Sequence, residues 1–172
     1  QLDLSAVVFD ANRVALVGES VPVLSLSVDA GWSYDLSPSG TLVYRPAGAS
    51  RAVPPDWHAL GEAPAPRAGL GPAPQGTVSF GSPRVSPDGR RVLVSRTIIG
   101  RGSEIAVHDV VSGTRRVLAT PSSTWTTWSH DGRRVIFQAG PDSPGGAGLL
   151  WVPLDGSAPA ERLTSSKAWQ QP

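Results

Sequence analysis

A chain of 172 residues is long enough to bury a core, and 40% apolar against 17% charged residues reads as globular rather than disordered. Lys and Arg exceed Asp and Glu by one, so no global field recruits nucleic acid or an anionic membrane, and zero cysteines exclude disulfide frameworks and thiolate metal sites. No basic leader with an apolar stretch and no apolar run of membrane-spanning length occurs, and 17 Pro with 19 Gly cut the apolar runs too short for ordinary helices.

In chain order, residues 6–10, a turn at Ala11-Asn12-Arg13, and 14–17 on to 21–24 predict two strands. Next comes Tyr34-Asp35-Leu36, the turn Ser37-Pro38-Ser39-Gly40, and the apolar triplet Leu42-Val43-Tyr44. Residues 46–76 hold seven Pro and five Gly, so only Asp56-Trp57-His58-Ala59-Leu60-Gly61 reads as a strand remnant in an otherwise degenerate or partly disordered stretch. The turn then returns as Ser86-Pro87-Asp88-Gly89, followed by Arg90-Arg91 and Val92-Leu93-Val94, a strand at 104–109, the turn Val111-Ser112-Gly113-Thr114 and a strand at 114–119. It returns again as Ser129-His130-Asp131-Gly132, followed by Arg133-Arg134 and Val135-Ile136-Phe137, a strand at 149–155, the turn Asp155-Gly156-Ser157 and a strand at 160–164.

Asp88-Gly89 and Asp131-Gly132 lie 43 residues apart, and Ser39-Gly40 lies 49 before Asp88-Gly89. That period is the length of a four-stranded propeller blade. In the turn, Pro presets φ, Asp bonds its own backbone and Gly accepts positive φ, which is hairpin chemistry. The triplet after each turn is apolar at every position, so it predicts a strand covered on both faces rather than one with a wet side. Sheets arrayed face to face around an axis provide such cover. The fold class is therefore all-β, a partial β-propeller of about three and a half four-stranded antiparallel blades. Residues 1–28 read as the outer half of a truncated blade, 29–76 as a degenerate blade, 77–120 and 121–164 as blades, and 165–172 as the start of a missing one. The absence of Met leads us to expect a processed chain or a fragment.

With Ser86-Pro87-Asp88-Gly89, Trp128-Ser129-His130-Asp131-Gly132 and the closing Glu161-Arg162-Leu163-Thr164, the chain resembles the TolB-like, WD-repeat-like β-propellers of bacteria. Residues 77–164 carry the resemblance well, 6–45 moderately and 46–76 poorly. The sequence departs from the pattern at His130, which replaces Pro, and at Ser39, which replaces Asp. The resemblance implies a non-catalytic module that binds a protein or peptide, or senses one, in a periplasmic or extracytoplasmic place. Similar propellers form the C-terminal sensor half of bacterial serine/threonine kinases, which the opening resembles most. They also form the gating domain of prolyl-oligopeptidase-type peptidases, whose catalytic domain would then lie outside these residues. A third alternative is a truncated gene product without activity.

The residues themselves carry little catalytic signal. Asp88 and Asp131 stand in turns that already explain them, and no Asp-x-Asp-x-Asp spacing points to calcium. His58, His108 and His130 lie far apart without a second ligand at metal spacing. No Gly-x-Ser-x-Gly elbow occurs; Ser50 and Ser103 lack the flanking glycine. No catalytic residue, metal or cofactor is expected. The arginine pairs 90–91, 115–116 and 133–134 could grip carboxylate or phosphate, though charge beside an apolar strand also keeps a sheet soluble. Trp32, Tyr34, Arg84, Trp125 and Trp128 are candidates to face the central channel or stack on a ligand, weighed against wedging between blades. Partners beyond a protein or peptide are the remaining blades or another protomer. An incomplete propeller leaves blade faces bare, an apolar patch on the order of several hundred Å². The isolated chain is therefore expected to self-associate; light scattering at micromolar concentration that returns a clean monomer contradicts this.

Overall fold

The computed structural model describes residues 2–26, 34–45, 55–59, 75–81, 83–120, 125–143 and 145–164, and every regular element among them is a strand. Trp32, the segment 165–172 and most of 46–76 lie outside the described residues. Four antiparallel sheets follow one another along the chain.

The first is a hairpin, β1 (Leu2–Asp10) with β2 (Ala15–Leu26). Asp10 Oδ1 closes its turn by accepting from the backbone N–H groups of Asn12 at 2.9 Å and Arg13 at 3.1 Å. Val8, Phe9 and Leu16 remain 67, 57 and 68% exposed, because a two-stranded sheet cannot cover its own faces. The second sheet orders β3 (Tyr34–Leu36), β4 (Thr41–Tyr44) and β5 (Asp56–Ala59).

The third sheet contains β6 (Thr77–Phe80), β7 (Arg84–Val85), β8 (Arg91–Ile98), β9 (Gly102–Asp109) and β10 (Arg115–Ala119). Both β6 and β7 pair with β8, so together they make one inner strand. The strand breaks around Pro83, which has no N–H for the ladder. The fourth sheet runs β11 (Thr126–Trp128), β12 (Arg134–Ala139), β13 (Gly148–Pro153) and β14 (Glu161–Arg162).

The repeated turn is built the same way three times. The glycine N–H donates to the serine carbonyl three residues back, at 3.0 Å for Gly40, 2.8 Å for Gly89 and 2.9 Å for Gly132. In the last two copies the serine hydroxyl donates to the aspartate, Ser86 to Asp88 at 2.5 Å and Ser129 to Asp131 at 2.6 Å. The same hydroxyl accepts from the N–H that opens the next strand, Arg91 and Arg134 both at 2.9 Å. In the first copy Ser39 replaces the acid and meets Ser37 through their hydroxyls at 2.8 Å. All three glycines have positive φ, 88°, 71° and 65°.

Alternation along the middle strands sends side chains into two separate cores. Val92 and Val94 on β8 pack with Val43, Phe80 and Val85, between the second and third sheets. Leu93, the residue between them, joins Ile105 and Val107 in packing against Trp128, Val135, Phe137 and Val152 of the fourth sheet. The triplet Val92-Leu93-Val94 is thus buried on both faces. Val135 and Phe137 are buried as well, but Ile136 is only half-buried. It points to the face of the fourth sheet away from the third, where Arg134 lies over the Trp151 ring at 4.3 Å. Tyr44 is likewise half-buried beside the buried Leu42 and Val43.

A buried polar cluster sits on the Val92 face of the third sheet. Arg96 pairs with Glu104 at 2.7 Å, and Arg115 also reaches Glu104. His108, opposite Val92 in the ladder, is buried on the same face. Its burial, and then the charge of Arg96, push its pKa down to about 4.

Two outcomes follow from this packing. A Cβ on Gly89 would stand 2.1 Å from Ser39 Oγ and 2.6 Å from Thr41 Oγ1, in the neighbouring sheet, at a φ that already disfavours side chains. Gly89→Ala is expected to cost about 2–4 kcal/mol in denaturant unfolding, and Gly113→Ala, which meets open space, about 1 kcal/mol. For His108 the folded pKa is below the unfolded one, so the unfolded chain binds the proton first as pH falls. Stability is fully present above the ordinary histidine value and is lost between about 6.5 and 4, by roughly 3 kcal/mol. Unfolding midpoints measured across that window are expected to slope for the parent chain and to flatten for His108→Gln.

Candidate functional site

The inner strands carry the aromatic candidates. Trp128 ends β11 buried between the third and fourth sheets, and its indole N–H donates to Arg84 O at 3.0 Å. The ring therefore acts as a wedge between blades, with its polar tip satisfied by the neighbouring inner strand. Arg84 itself is half-buried and donates through Nη1 to Pro83 O at 3.2 Å. Tyr34 at the start of β3 and Trp125 just before β11 are 40 and 39% exposed. Asp35 was not singled out in the sequence, yet its Oδ2 accepts from Val85 N–H at 2.8 Å and ties the second sheet's inner strand to the third's. The signal available was an acid just before the apolar residue of an inner strand.

The turn residues have structural partners. Ser37, Ser86 and Ser129 hold their turns through backbone and hydroxyl, Gly40 and Gly132 take positive φ, and Asp88 and Asp131 each accept a hydroxyl and a following N–H. Pro38 is exposed, while Pro87 lies against the next turn, its Cδ 3.4 Å from where a Cβ on Gly132 would stand. The Ser129 hydroxyl, followed by the Arg133 N–H, lowers the pKa of Asp131. Among the described residues no group of three or more His, Asp or Glu is placed to hold a metal ion. His108 is buried on β9, His130 is exposed in its turn, and His58 lies on β5.

A concavity lies away from Tyr34 and Trp125. A groove of about 670 Å³ lies between the third and fourth sheets, on the rim that bears the repeated turns. Its floor is Val107 and Leu154, and the Gly132 turn forms part of its wall. Each arginine pair sends at least one member there: Arg91 from the start of β8, Arg115 and Arg116 from β10, and Arg133 from the turn before β12. Arg115 is held by Glu104, but Arg91, Arg116 and Arg133 make no ion pair or side-chain hydrogen bond among the described residues.

Two carboxylates share the groove. Asp109 has its pKa lowered by the Ser112 N–H first, with further help from the Ser112 hydroxyl and from Arg91. Asp155 is lowered by the Ser157 hydroxyl first and, more weakly, by Arg116. Both carboxylates therefore stay ionised, near the guanidinium groups but without ion-pair contact. Arg116 Nη1 reaches across the sheets to within 3.3 Å of where a Cβ on Gly156 would stand. The arrangement offers open guanidinium forks beside the apolar side chains of Val107 and Leu154.

Sequence comparison returns no matching family profile and no matching curated protein. Solved structures do match. TolB from Acinetobacter baumannii superimposes with a TM-score of 0.60 over 95% of this chain and 38% of its own, at 16% identity. A structure from a mechanistic analysis of two prolyl endopeptidases superimposes with a TM-score of 0.58 over 79% of this chain and 23% of its own, at 19% identity. The chain thus spans less than half the length of either protein. What it has in common with them is the fold, and that fold is an all-β segment of a TolB-like β-propeller.

Proposed function

We propose that this chain is a non-catalytic propeller segment that binds a protein or peptide partner, either to assemble with it or to sense it. One observation carries the reading: an open groove of about 670 Å³ on the turn-bearing rim, lined by Arg91, Arg116 and Arg133, which make no ion pair among the described residues. A cleft of this size takes a short peptide segment, and a rigid sheet pair holds its walls. On this reading Tyr34 and Trp125, 40 and 39% exposed, offer a second contact surface for the same partner. The TolB-like fold supports a binding role, and we extend the proposal to an extracytoplasmic location on that resemblance.

A second reading, a substrate-gating propeller of a prolyl-oligopeptidase-type serine peptidase, is supported by the likeness to the prolyl endopeptidase structure. In that case the catalytic domain lies outside these residues.

Hydrogen exchange with a pool of short synthetic peptides tests the first reading. Added peptide is expected to slow exchange at 114–116 and 132–133. No protection at millimolar peptide overturns the binding role. Covalent labelling of the intact gene product by a fluorophosphonate, with cleavage of a prolyl substrate, replaces it with the peptidase reading.

A further inference from the structure

The three arginine pairs look redundant in sequence, but the fold divides their labour. Arg134 is spent on the face of Trp151, and Arg115 is spent on Glu104. Arg91, Arg116 and Arg133 come from three different elements and open into one groove without a committed partner among the described residues. Guanidinium forks left unpaired above an apolar floor are a receptor for planar anions, and the carboxylate is the planar one.

We infer that the groove between the third and fourth sheets binds an acidic, apolar peptide segment, its carboxylates held by Arg91, Arg116 and Arg133 and its aliphatic side chains on Val107 and Leu154. This rests on the peptide-binding reading above and names the partner's chemistry. Asp109 and Asp155 lower the groove's net positive charge, which disfavours a multiply charged phosphate chain more than single carboxylates spaced along a peptide. Asp109 uses Oδ1 in its own turn, which leaves Oδ2 to accept an N–H group from a peptide backbone. A groove carrying both signs fits a ligand carrying both donors and carboxylates. Arg116 and Arg133 are exposed, so they can be changed without disturbing a core.

The test uses the full chain and fluorescence anisotropy with a labelled peptide alternating Glu and Leu, its Gln-Leu counterpart, and tripolyphosphate as competitor. The acidic peptide is expected to bind, and the neutral one at least about tenfold more weakly. Arg116→Gln and Arg133→Gln are each expected to weaken the acidic peptide several-fold, and together by tenfold or more. Arg101→Gln, in the exposed turn between β8 and β9 on the opposite rim, is expected to leave it unchanged. Equal binding of the neutral peptide overturns the inference and leaves peptide binding standing. Binding of neither peptide overturns both. A loss in Arg101→Gln equal to that in Arg133→Gln, or tripolyphosphate displacing the acidic peptide at equimolar concentration, overturns the assignment of a carboxylate site to this groove.

Discussion

A sheet whose middle strand is apolar on both faces cannot stand alone in water. Val92 and Val94 point one way from β8 and Leu93 points the other, and each side requires a neighbouring sheet. The rest of the architecture depends on that requirement. It places the second, third and fourth sheets in sequence with two separate cores between them. Where no described neighbour lies, Ile136 and Trp151 remain half-buried, and an arginine rather than another sheet covers the indole.

Apolar burial has no direction, so the alignment of adjacent sheets comes from polar contacts. The inner strands are tied by Asp35 to Val85 N–H and by Trp128 N–H to Arg84 O. The rim is tied by the turns, where Thr41 Oγ1 donates to Gly89 O at 3.0 Å and Pro87 rests on Gly132. Glycine is required at 89 twice over, for its backbone angle and for the hydroxyls packed against it. The same turn that reverses each chain also sets how close the next blade comes.

The groove is a consequence of where the apolar triplets stop. Beyond Leu93 and Val135 toward the turn, the strands begin with arginine, and the sheets meet with charged residues instead of apolar ones. The core thus seals the middle of the blades, while the rim stays open and polar. A scaffold of this kind concentrates variation at its edge and says little by itself about the ligand.

The sequence alone determined the repeated turns and the strands that follow them, because that information is local. A Ser-Pro-Asp-Gly turn needs only its own four residues and the next N–H, whereas the expected burial on two faces holds for Val92-Leu93-Val94 and fails at Ile136, where no described sheet lies across. The 43-residue spacing then made the sheets recur. Less legible were contacts between residues far apart in the chain. Trp128 could be read as a wedge or a stacking ring, and only the position of Arg84 O, 44 residues away, decided it. The arginine pairs looked alike in the sequence. Tertiary structure alone set Arg134 on an indole, Arg115 on a carboxylate, and Arg91, Arg116 and Arg133 around one groove, since a side chain's partner depends on which sheet lies across from it.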